Sequence, residues 1–244
     1  MSLFLKYNQR IVELPCDTGV TTSGKLGVVA HKRLCANPDA GQDDLRALVE
    51  HNHGVATTGQ HMRIVILGNA GSGKSTLAKS LAHTQRMPML DLDTLVWEPD
   101  LVAVQRPDEQ VFSDLAQFCR ESDDWVIDGC YGDLVEAALR HRPLLIFLEP
   151  GQDVCVANCR TRPWEPHKYR TKQEQDDHLE DLLGWVRSYY DLDGSMSLSG
   201  HRAVFERYAG PKRLVTRLEE LEVMQSAWQA AAATSRARAR LLTR

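Results

Sequence analysis

The chain has 244 residues, of which 43% are hydrophobic and 25% charged, and its formal net charge is -4 at pH 7. This is the composition of a globular protein with a core of ordinary size, and no apolar run approaches the roughly twenty residues that cross a bilayer. The slightly acidic balance gives no reason to expect binding to nucleic acid or to an anionic membrane, and an N-terminus without an apolar signal-peptide core favours a cytoplasmic location.

The first 61 residues differ in character from the rest of the chain. Turn-forming residues cluster at 21–24 and 37–41, and the apolar stretches between them are short. Because such a segment offers no convincing core, we expect an N-terminal extension that is partly disordered, with a small docking segment as the alternative. A core strand follows directly on Met62, so the working domain is expected to span residues 62–232.

A phosphate-binding loop follows this strand. The sequence from Gly68 to Ser75 fits the pattern G-x-x-x-x-G-K-[ST], after an apolar strand at 63–67 and before a helix beginning at Lys74. Its glycines allow the backbone N–H groups to converge, and the helix dipole points at the same place. Lys74 provides a mobile cation for the terminal phosphates of ATP, and the Ser75 hydroxyl is suited to hold Mg²⁺. The predicted nucleotide-binding residues are Gly68, Asn69, Ala70, Gly71, Ser72, Gly73, Lys74, Ser75 and Thr76.

Strands and helices then alternate regularly along the chain. Further strands are predicted at 87–92, 125–128, 144–148 and 213–216, and helices at 108–120, 152–160, 175–190, 198–208 and 218–232. Alternation of this kind is typical of a parallel sheet covered on both faces. The predicted fold class is therefore α/β, a three-layer sandwich with a five-stranded parallel sheet. A basic, solvated tail is expected at 233–244.

Two aspartates are predicted at the carboxyl ends of strands, where parallel sheets bind ligands. Asp128 ends an apolar strand and is the predicted partner of Ser75 at the metal. Asp93 is taken to end the second strand and to contact the acceptor hydroxyl as a general base or an orienting group. Asp91 would then point to the opposite side of that strand. The alternatives are a turn residue before Gly129 for Asp128 and a helix N-cap for Asp93.

A basic, proline-containing segment at about 161–175 is predicted to be a lid. Lid closure excludes water and can bring cations onto the transferring phosphate. Arg160 and Arg162 are the predicted catalytic arginines, because they lie where a helix passes into this segment. A solvated basic loop is the alternative.

Three stretches together resemble the adenylate-kinase-like branch of phosphate-loop kinases, over roughly residues 62–225. Residues 62–78 read MRIVILGNAGSGKSTLA, 90–97 read LDLDTLVW and 125–131 read WVIDGCY. The last two are similar to stretches in bacterial topology modulation proteins and adenylate-kinase-related kinases. The resemblance implies five parallel strands, ATP with Mg²⁺, a basic lid and an acceptor region between the second and third strands.

The chain departs from true adenylate kinases after the third strand. Those kinases follow Asp-Gly with Phe-Pro-Arg, whereas Cys130, Tyr131, Gly132 and Asp133 stand here, so AMP is not assigned as the acceptor. Trp97, Arg106 and Tyr131 are candidate wall residues of the acceptor pocket, with core packing as the alternative for the aromatics. The predicted function is ATP-dependent phosphoryl transfer to a small molecule such as a nucleoside or nucleotide. The alternative is a nucleotide-binding regulatory ATPase that acts through a protein partner.

Overall fold

The fold is given by a computed structural model that describes residues 61–98, 104–165 and 169–242, and for 235–242 the backbone alone. The strands are β1 (Arg63–Gly68), β2 (Met89–Asp91), β3 (Trp125–Gly129), β4 (Leu144–Leu148) and β5 (Lys212–Val215). The helices of these ranges are α1 (Lys74–Gln85), α2 (Asp93–Val96), α3 (Asp108–Glu121), α4 (Gly132–Leu139), α5 (Gln152–Thr161), α6 (Lys172–Asp177), α7 (Leu179–Ser188), α8 (Leu198–Arg207) and α9 (Leu218–Leu242).

The five strands form one parallel sheet in the order β2-β3-β1-β4-β5, which confirms the predicted fold class. From β1 the chain crosses over β3 to reach β2, whereas from β4 it leaves in the other direction to reach β5. A crevice opens at the carboxyl ends of two neighbouring strands whose connections diverge in this way. The loop that follows β1 lies at that crevice.

Each face of the sheet buries its own apolar cluster. Alternate strand residues such as Val65 and Ile127 pack with α3, α4 and α8, while Ile64 and Ile66 pack with α1 and α9. The central strands read as continuous apolar runs because both of their faces are covered. Each fully buried leucine or isoleucine contributes about 2 kcal/mol to folding before entropy is counted.

Several predicted boundaries move in the structure. The second strand is only Met89–Asp91, and α2 and α4 form where no element was predicted. The predicted helix 175–190 is divided at His178, whose φ of -92° and ψ of 1° interrupt the helical geometry. The last helix continues to Leu242, where a frayed tail was expected beyond residue 232. Apart from His61, the predicted N-terminal extension lies outside the described residues.

None of the helices in the described ranges is long and apolar enough to cross a membrane.

A buried histidine joins three elements behind the carboxyl edge of the sheet. His201 of α8 is fully buried, and its Nε2 lies 2.8 Å from the carbonyl oxygen of Cys130, which can only accept a hydrogen bond. Nδ1 therefore accepts from the Tyr189 hydroxyl at 2.8 Å. Burial lowers the pKa of His201 from 6.5 to about 4, so the ring is neutral in the folded protein at neutral pH.

This histidine should make the protein sensitive to acid. His201 binds a proton near pH 6.5 in the unfolded chain, but only near pH 4 in the folded protein. Its contribution to the free energy of unfolding is therefore complete above pH 6.5 and is lost as the pH falls from 6.5 to 4. We expect a loss of roughly 3 kcal/mol in the free energy of unfolding over that range. Urea unfolding at pH 7 and pH 4.5 measures it. His201→Gln should reduce the pH dependence of stability, whereas His83→Gln on the exposed face of α1 should not. The same dependence of stability on pH in wild type and His201→Gln would show that His201 is not the cause of the acid sensitivity.

Candidate functional site

The loop between β1 and α1 turns through two glycines with left-handed backbone. Gly71 has a φ of 77° and Gly73 a φ of 94°, values that side chains rarely tolerate. Helix α1 begins directly after Gly73, and its first turn contains no acidic residue. The N-terminal N–H groups and the positive end of the helix dipole are therefore available to an anion.

Two asparagines fix the shape of this loop. Asn69 is 2% exposed, and its Nδ2 donates to the carbonyl oxygen of Val186 in α7 at 2.9 Å. The Asn158 Nδ2 in α5 donates to the carbonyl oxygen of Gly71 at 2.8 Å. Both bonds join positions far apart in the chain, so no local sequence signal marks Asn158 or the anchoring role of Asn69. They tie the loop to helices α5 and α7.

Because this loop packs closely against α5, adding one methyl group at Gly71 should strongly destabilise the protein. A Cβ atom there would lie 2.2 Å from the carbonyl oxygen of Cys155 and 2.8 Å from its neighbour Cys159 Sγ. This clash and the strain of a left-handed alanine together should lower the free energy of unfolding of Gly71→Ala by about 3 kcal/mol. Chemical denaturation measures this. Gly184→Ala in α7, whose Cβ would meet nothing within 4 Å, is the matched control and should be neutral or stabilising. Similar stabilities for the two variants would contradict this fit.

The predicted phosphate and metal residues lie together at the start of α1. The Lys74 Nζ donates to the carbonyl oxygen of Asn69 at 3.2 Å, which holds the ammonium group over the loop. The Ser75 hydroxyl donates to Asp128 Oδ2 at 2.6 Å, joining α1 to the end of β3. Of the other predicted members, Thr76 is exposed and Ser72 is fully buried.

Asp128 is a buried carboxylate in an environment that opposes its charge. It is 1% exposed, and its Oδ1 has no hydrogen-bond partner within the described residues. Burial, and to a smaller extent the nearby Asp91, raise its pKa to about 6 against the opposing effects of Lys74 and the Ser75 hydrogen bond. A buried oxygen without a partner, on a carboxylate that resists ionisation, fits a cation that would compensate the charge.

The donor set fits magnesium better than a metal enclosed by protein ligands. The described residues contain no group of three or more His, Cys, Asp and Glu side chains arranged to hold a metal ion. Mg²⁺ commonly takes one or two protein oxygens and completes its shell with water and substrate phosphates. Ser75 and Asp128 can provide those protein oxygens.

The second strand ends at Asp91, two residues before Asp93, which was expected to end it. Asp91 is its last residue and pairs in register with Asp128 on β3, so the two carboxylates lie at the same level of neighbouring strands. The alternation of side chains along β2 does not reveal that Asp91 lies beside Asp128, because this proximity depends on the register between β2 and β3. Asp93 instead begins α2, and its N–H donates to Asp91 Oδ1 at 3.0 Å. Asp91 therefore caps the helix that carries Asp93.

One aromatic side chain contacts Asp93, and a second contacts the first. The Tyr131 hydroxyl donates to Asp93 Oδ1 at 2.8 Å, and the indole Nε1 of Trp97 donates to the same hydroxyl at 3.0 Å. Tyr131 is fully buried and Trp97 partly so. The predicted wall residue Arg106 is held by Asp114 at 2.6 Å and by the carbonyl oxygen of Leu95 at 3.1 Å. Tyr131 and Trp97 thus hold Asp93 rather than simply lining a pocket.

The two predicted lid arginines differ in their surroundings. Arg162 lies near Cys159, whose Sγ packs against the phosphate loop, and both Arg162 and Lys74 act electrostatically on that thiol. In this structure Arg162 pairs with Glu165. Arg160 is exposed and lines a cleft at the end of α5 together with Arg162, and within the described residues it makes no hydrogen bond or ion pair with the loop.

No family model and no curated protein sequence matches the chain. Among solved structures, a gluconokinase from Sinorhizobium meliloti 1021 is 16% identical with a TM-score of 0.42, covering 75% of this chain and 98% of its own. A shikimate kinase from Acinetobacter baumannii is 14% identical with a TM-score of 0.40, covering 75% and 98%. A shikimate kinase from Bacteroides thetaiotaomicron is 18% identical with a TM-score of 0.41, covering 72% and 98%.

Likenesses this weak carry no argument about activity. The parallel sheet itself shows the fold, and the hydrogen bonds given above show the geometry of the site. The similarity to topology modulation proteins stays a prediction from the sequence.

Proposed function

We propose that the protein is a phosphotransferase that uses ATP with Mg²⁺ and moves the γ-phosphate to a hydroxyl of a small molecule. The observation that carries the proposal is the arrangement at one edge of the sheet, where a phosphate loop, a Ser75–Asp128 pair and the carboxylate of Asp93 meet. Phosphoryl transfer needs positioning and positive charge more than reactive side chains. A loop, a metal pair and an acceptor carboxylate are the parts it requires.

On the donor side, the loop backbone and Lys74 would hold the nucleotide phosphates. Lys74 is already drawn over the loop by Asn69, so its charge lies close to any bound phosphate. When bound, Mg²⁺ would offset the negative charge of the nucleotide phosphates. Ser75 and Asp128 would hold it, with the charge of Asp91 adding to the attraction for a cation.

On the acceptor side, Asp93 would contact the attacking hydroxyl. A carboxylate in hydrogen-bond reach of an alcohol can orient it and accept its proton as the bond to phosphorus forms. Asp93 follows the end of β2 and accepts a hydrogen bond from the buried Tyr131, so it lies at the carboxyl edge of the sheet. This edge also carries the phosphate loop, so donor and acceptor would meet in one crevice.

The lid would complete the site on closing. Arg162 is near the loop but neutralised by Glu165, and exchanging that partner for the transferring phosphate would place a cation where charge develops. Arg160 would need a larger movement to arrive there, because it is exposed on the cleft at the end of α5.

An acceptor screen tests this function. Consumption of Mg-ATP is measured with nucleosides, nucleotides, sugars and hydroxy acids, each against a no-acceptor control. We expect one class to stimulate turnover and Lys74→Ala to remove the stimulation. No stimulation by any class, with ATP still bound, would favour the regulatory ATPase that acts through a protein partner.

We further propose that the working domain begins near Met62 and that residues 1–61 are an extension. Met62 is tied to the fold by its N–H, which donates to Asp124 Oδ1 at 2.6 Å, and by its carbonyl oxygen, which accepts from Trp125 N at 3.0 Å. A protein that starts at Met62 should therefore fold and bind ATP like the full chain. Loss of folding, seen by circular dichroism, would contradict this division.

A further inference from the structure

We propose that Tyr131 is a positioning residue that fixes the Asp93 carboxylate, and that Trp97 in turn fixes the Tyr131 hydroxyl. The inference rests on the proposed function for its catalytic meaning, but the three-residue arrangement stands on its own contacts. We name it the Asp93 clamp: Asp93, Tyr131 and Trp97.

The direction of the hydrogen bonds in the Asp93 clamp follows from the donors present. An indole nitrogen can only donate, so the Tyr131 oxygen accepts from Trp97 Nε1 at 3.0 Å. The single hydroxyl proton of Tyr131 is then left for Asp93 Oδ1 at 2.8 Å. The chain of hydrogen bonds runs from indole to phenol to carboxylate.

Burial keeps this chain in place. Tyr131 is fully buried, and its burial together with the neighbouring Asp93 charge raises its pKa well above the ordinary value. The phenol therefore stays protonated, and remains a donor, across the range in which enzymes work. A buried network in which each polar group has its partner is rigid, because a rotated member would leave its neighbour unsatisfied.

The surrounding elements explain why Asp93 needs such support. Asp93 lies in α2, which has only four residues, and follows β2, an edge strand of three. Tyr131, in contrast, follows the buried strand β3, and its carbonyl oxygen accepts from Val135 N at 2.9 Å in the first turn of α4. The clamp thus ties a carboxylate on a short peripheral helix to the rigid centre of the sheet. Small displacements of a catalytic group can cost large factors in rate.

A pair of tyrosine variants tests the positioning role. Tyr131→Phe removes the hydroxyl beneath Asp93, whereas Tyr189→Phe removes an equally buried hydroxyl whose partner is His201. With Mg-ATP alone, water serves as the acceptor. We expect Tyr131→Phe to lower kcat by about tenfold with KM for ATP unchanged, and Tyr189→Phe to stay within about twofold of wild type. Equal losses in both variants would overturn the positioning role.

A double variant separates positioning from simple destabilisation. If Tyr131 acts through Asp93, adding Tyr131→Phe to Asp93→Ala should change kcat by less than about twofold. A tenfold further loss in the double variant would show that Tyr131 acts elsewhere, and would overturn the proposal. Trp97→Phe should give a smaller loss than Tyr131→Phe, because the hydroxyl keeps its proton for Asp93.

A spectroscopic measurement on the full chain distinguishes failure of the clamp from failure of the proposed function. The indole N–H signal of Trp97, identified by its loss in Trp97→Phe, should shift in Tyr131→Phe and in Asp93→Ala. The Trp97 signal should not shift in Asp114→Ala, a variant that removes a carboxylate of α3 whose partner is Arg106. A shifted signal without any phosphoryl transfer would count against the kinase and leave the clamp standing. An unmoved signal in Asp93→Ala would overturn the clamp, whatever the activity.

Discussion

Replacing Lys74 with alanine should lower the turnover of Mg-ATP by about 10³-fold. Lys74 is the cation of the phosphate loop, held over it by a hydrogen bond to the carbonyl oxygen of Asn69. A fixed positive charge acts most strongly where negative charge develops during transfer, and a partly buried site screens it less than water does. The effect should be greatest on kcat, with a smaller weakening of ATP binding. Single-turnover kinetics and calorimetric titration of ATP measure the two separately.

A matched control exists on the same helix. Lys79 is exposed on α1, one turn beyond the loop, and Lys79→Ala removes the same charge without touching the phosphates. We expect this variant to behave like wild type. ATP binding and turnover that survive Lys74→Ala undiminished would count against the phosphate loop as the nucleotide site, and with it against the kinase.

Replacing Asp93 with alanine should spare ATP binding and lower transfer by about 10³-fold. The hydrogen bond to Asp128 comes from Ser75, whereas Asp93 accepts from Tyr131, so the donor site should remain intact. What is lost is the group that orients the acceptor hydroxyl and takes its proton. Binding is measured by titration with ATP, and transfer by acceptor-stimulated turnover.

Asp93→Asn distinguishes the two roles of this side chain. The amide oxygen can still accept from Tyr131, but the group is no longer a base. A strong loss in both variants indicates proton transfer, whereas activity retained in Asp93→Asn indicates orientation. Glu109→Gln, at an exposed carboxylate in the first turn of α3, is the control for charge alone. Full transfer by Asp93→Ala would remove Asp93 from the mechanism.

Local sequence patterns were sufficient to predict the phosphate loop and the central strands. The run from Gly68 to Ser75 determines its own geometry, because glycines, strand and helix start are neighbours in the chain. The short apolar run that precedes Asp128 predicted a strand at 125–128 covered on both faces for the same reason. The position of Asp128 at the carboxyl edge could be predicted from the end of that run, since the carboxyl ends of parallel strands share one edge.

Other features depended on how distant segments meet. Leu92 and Asp93 read as the end of a strand, yet the chain leaves the sheet after Asp91, whose side chain caps the short helix α2. The break at His178 lay within an apolar pattern that reads as one helix, because periodicity alone does not record where a helix is interrupted.

The sequence by itself determined a glycine-containing loop between a strand and a helix at the crevice of a parallel sheet, since those properties are encoded by neighbouring residues. Only the tertiary structure decided that Asp91 lies beside Asp128, that Asn69 is held by Val186, and that Tyr131 is buried beneath Asp93. These contacts depend on strand register and on helix packing. Such long-range burial is a property of the whole fold, which no short stretch of sequence specifies.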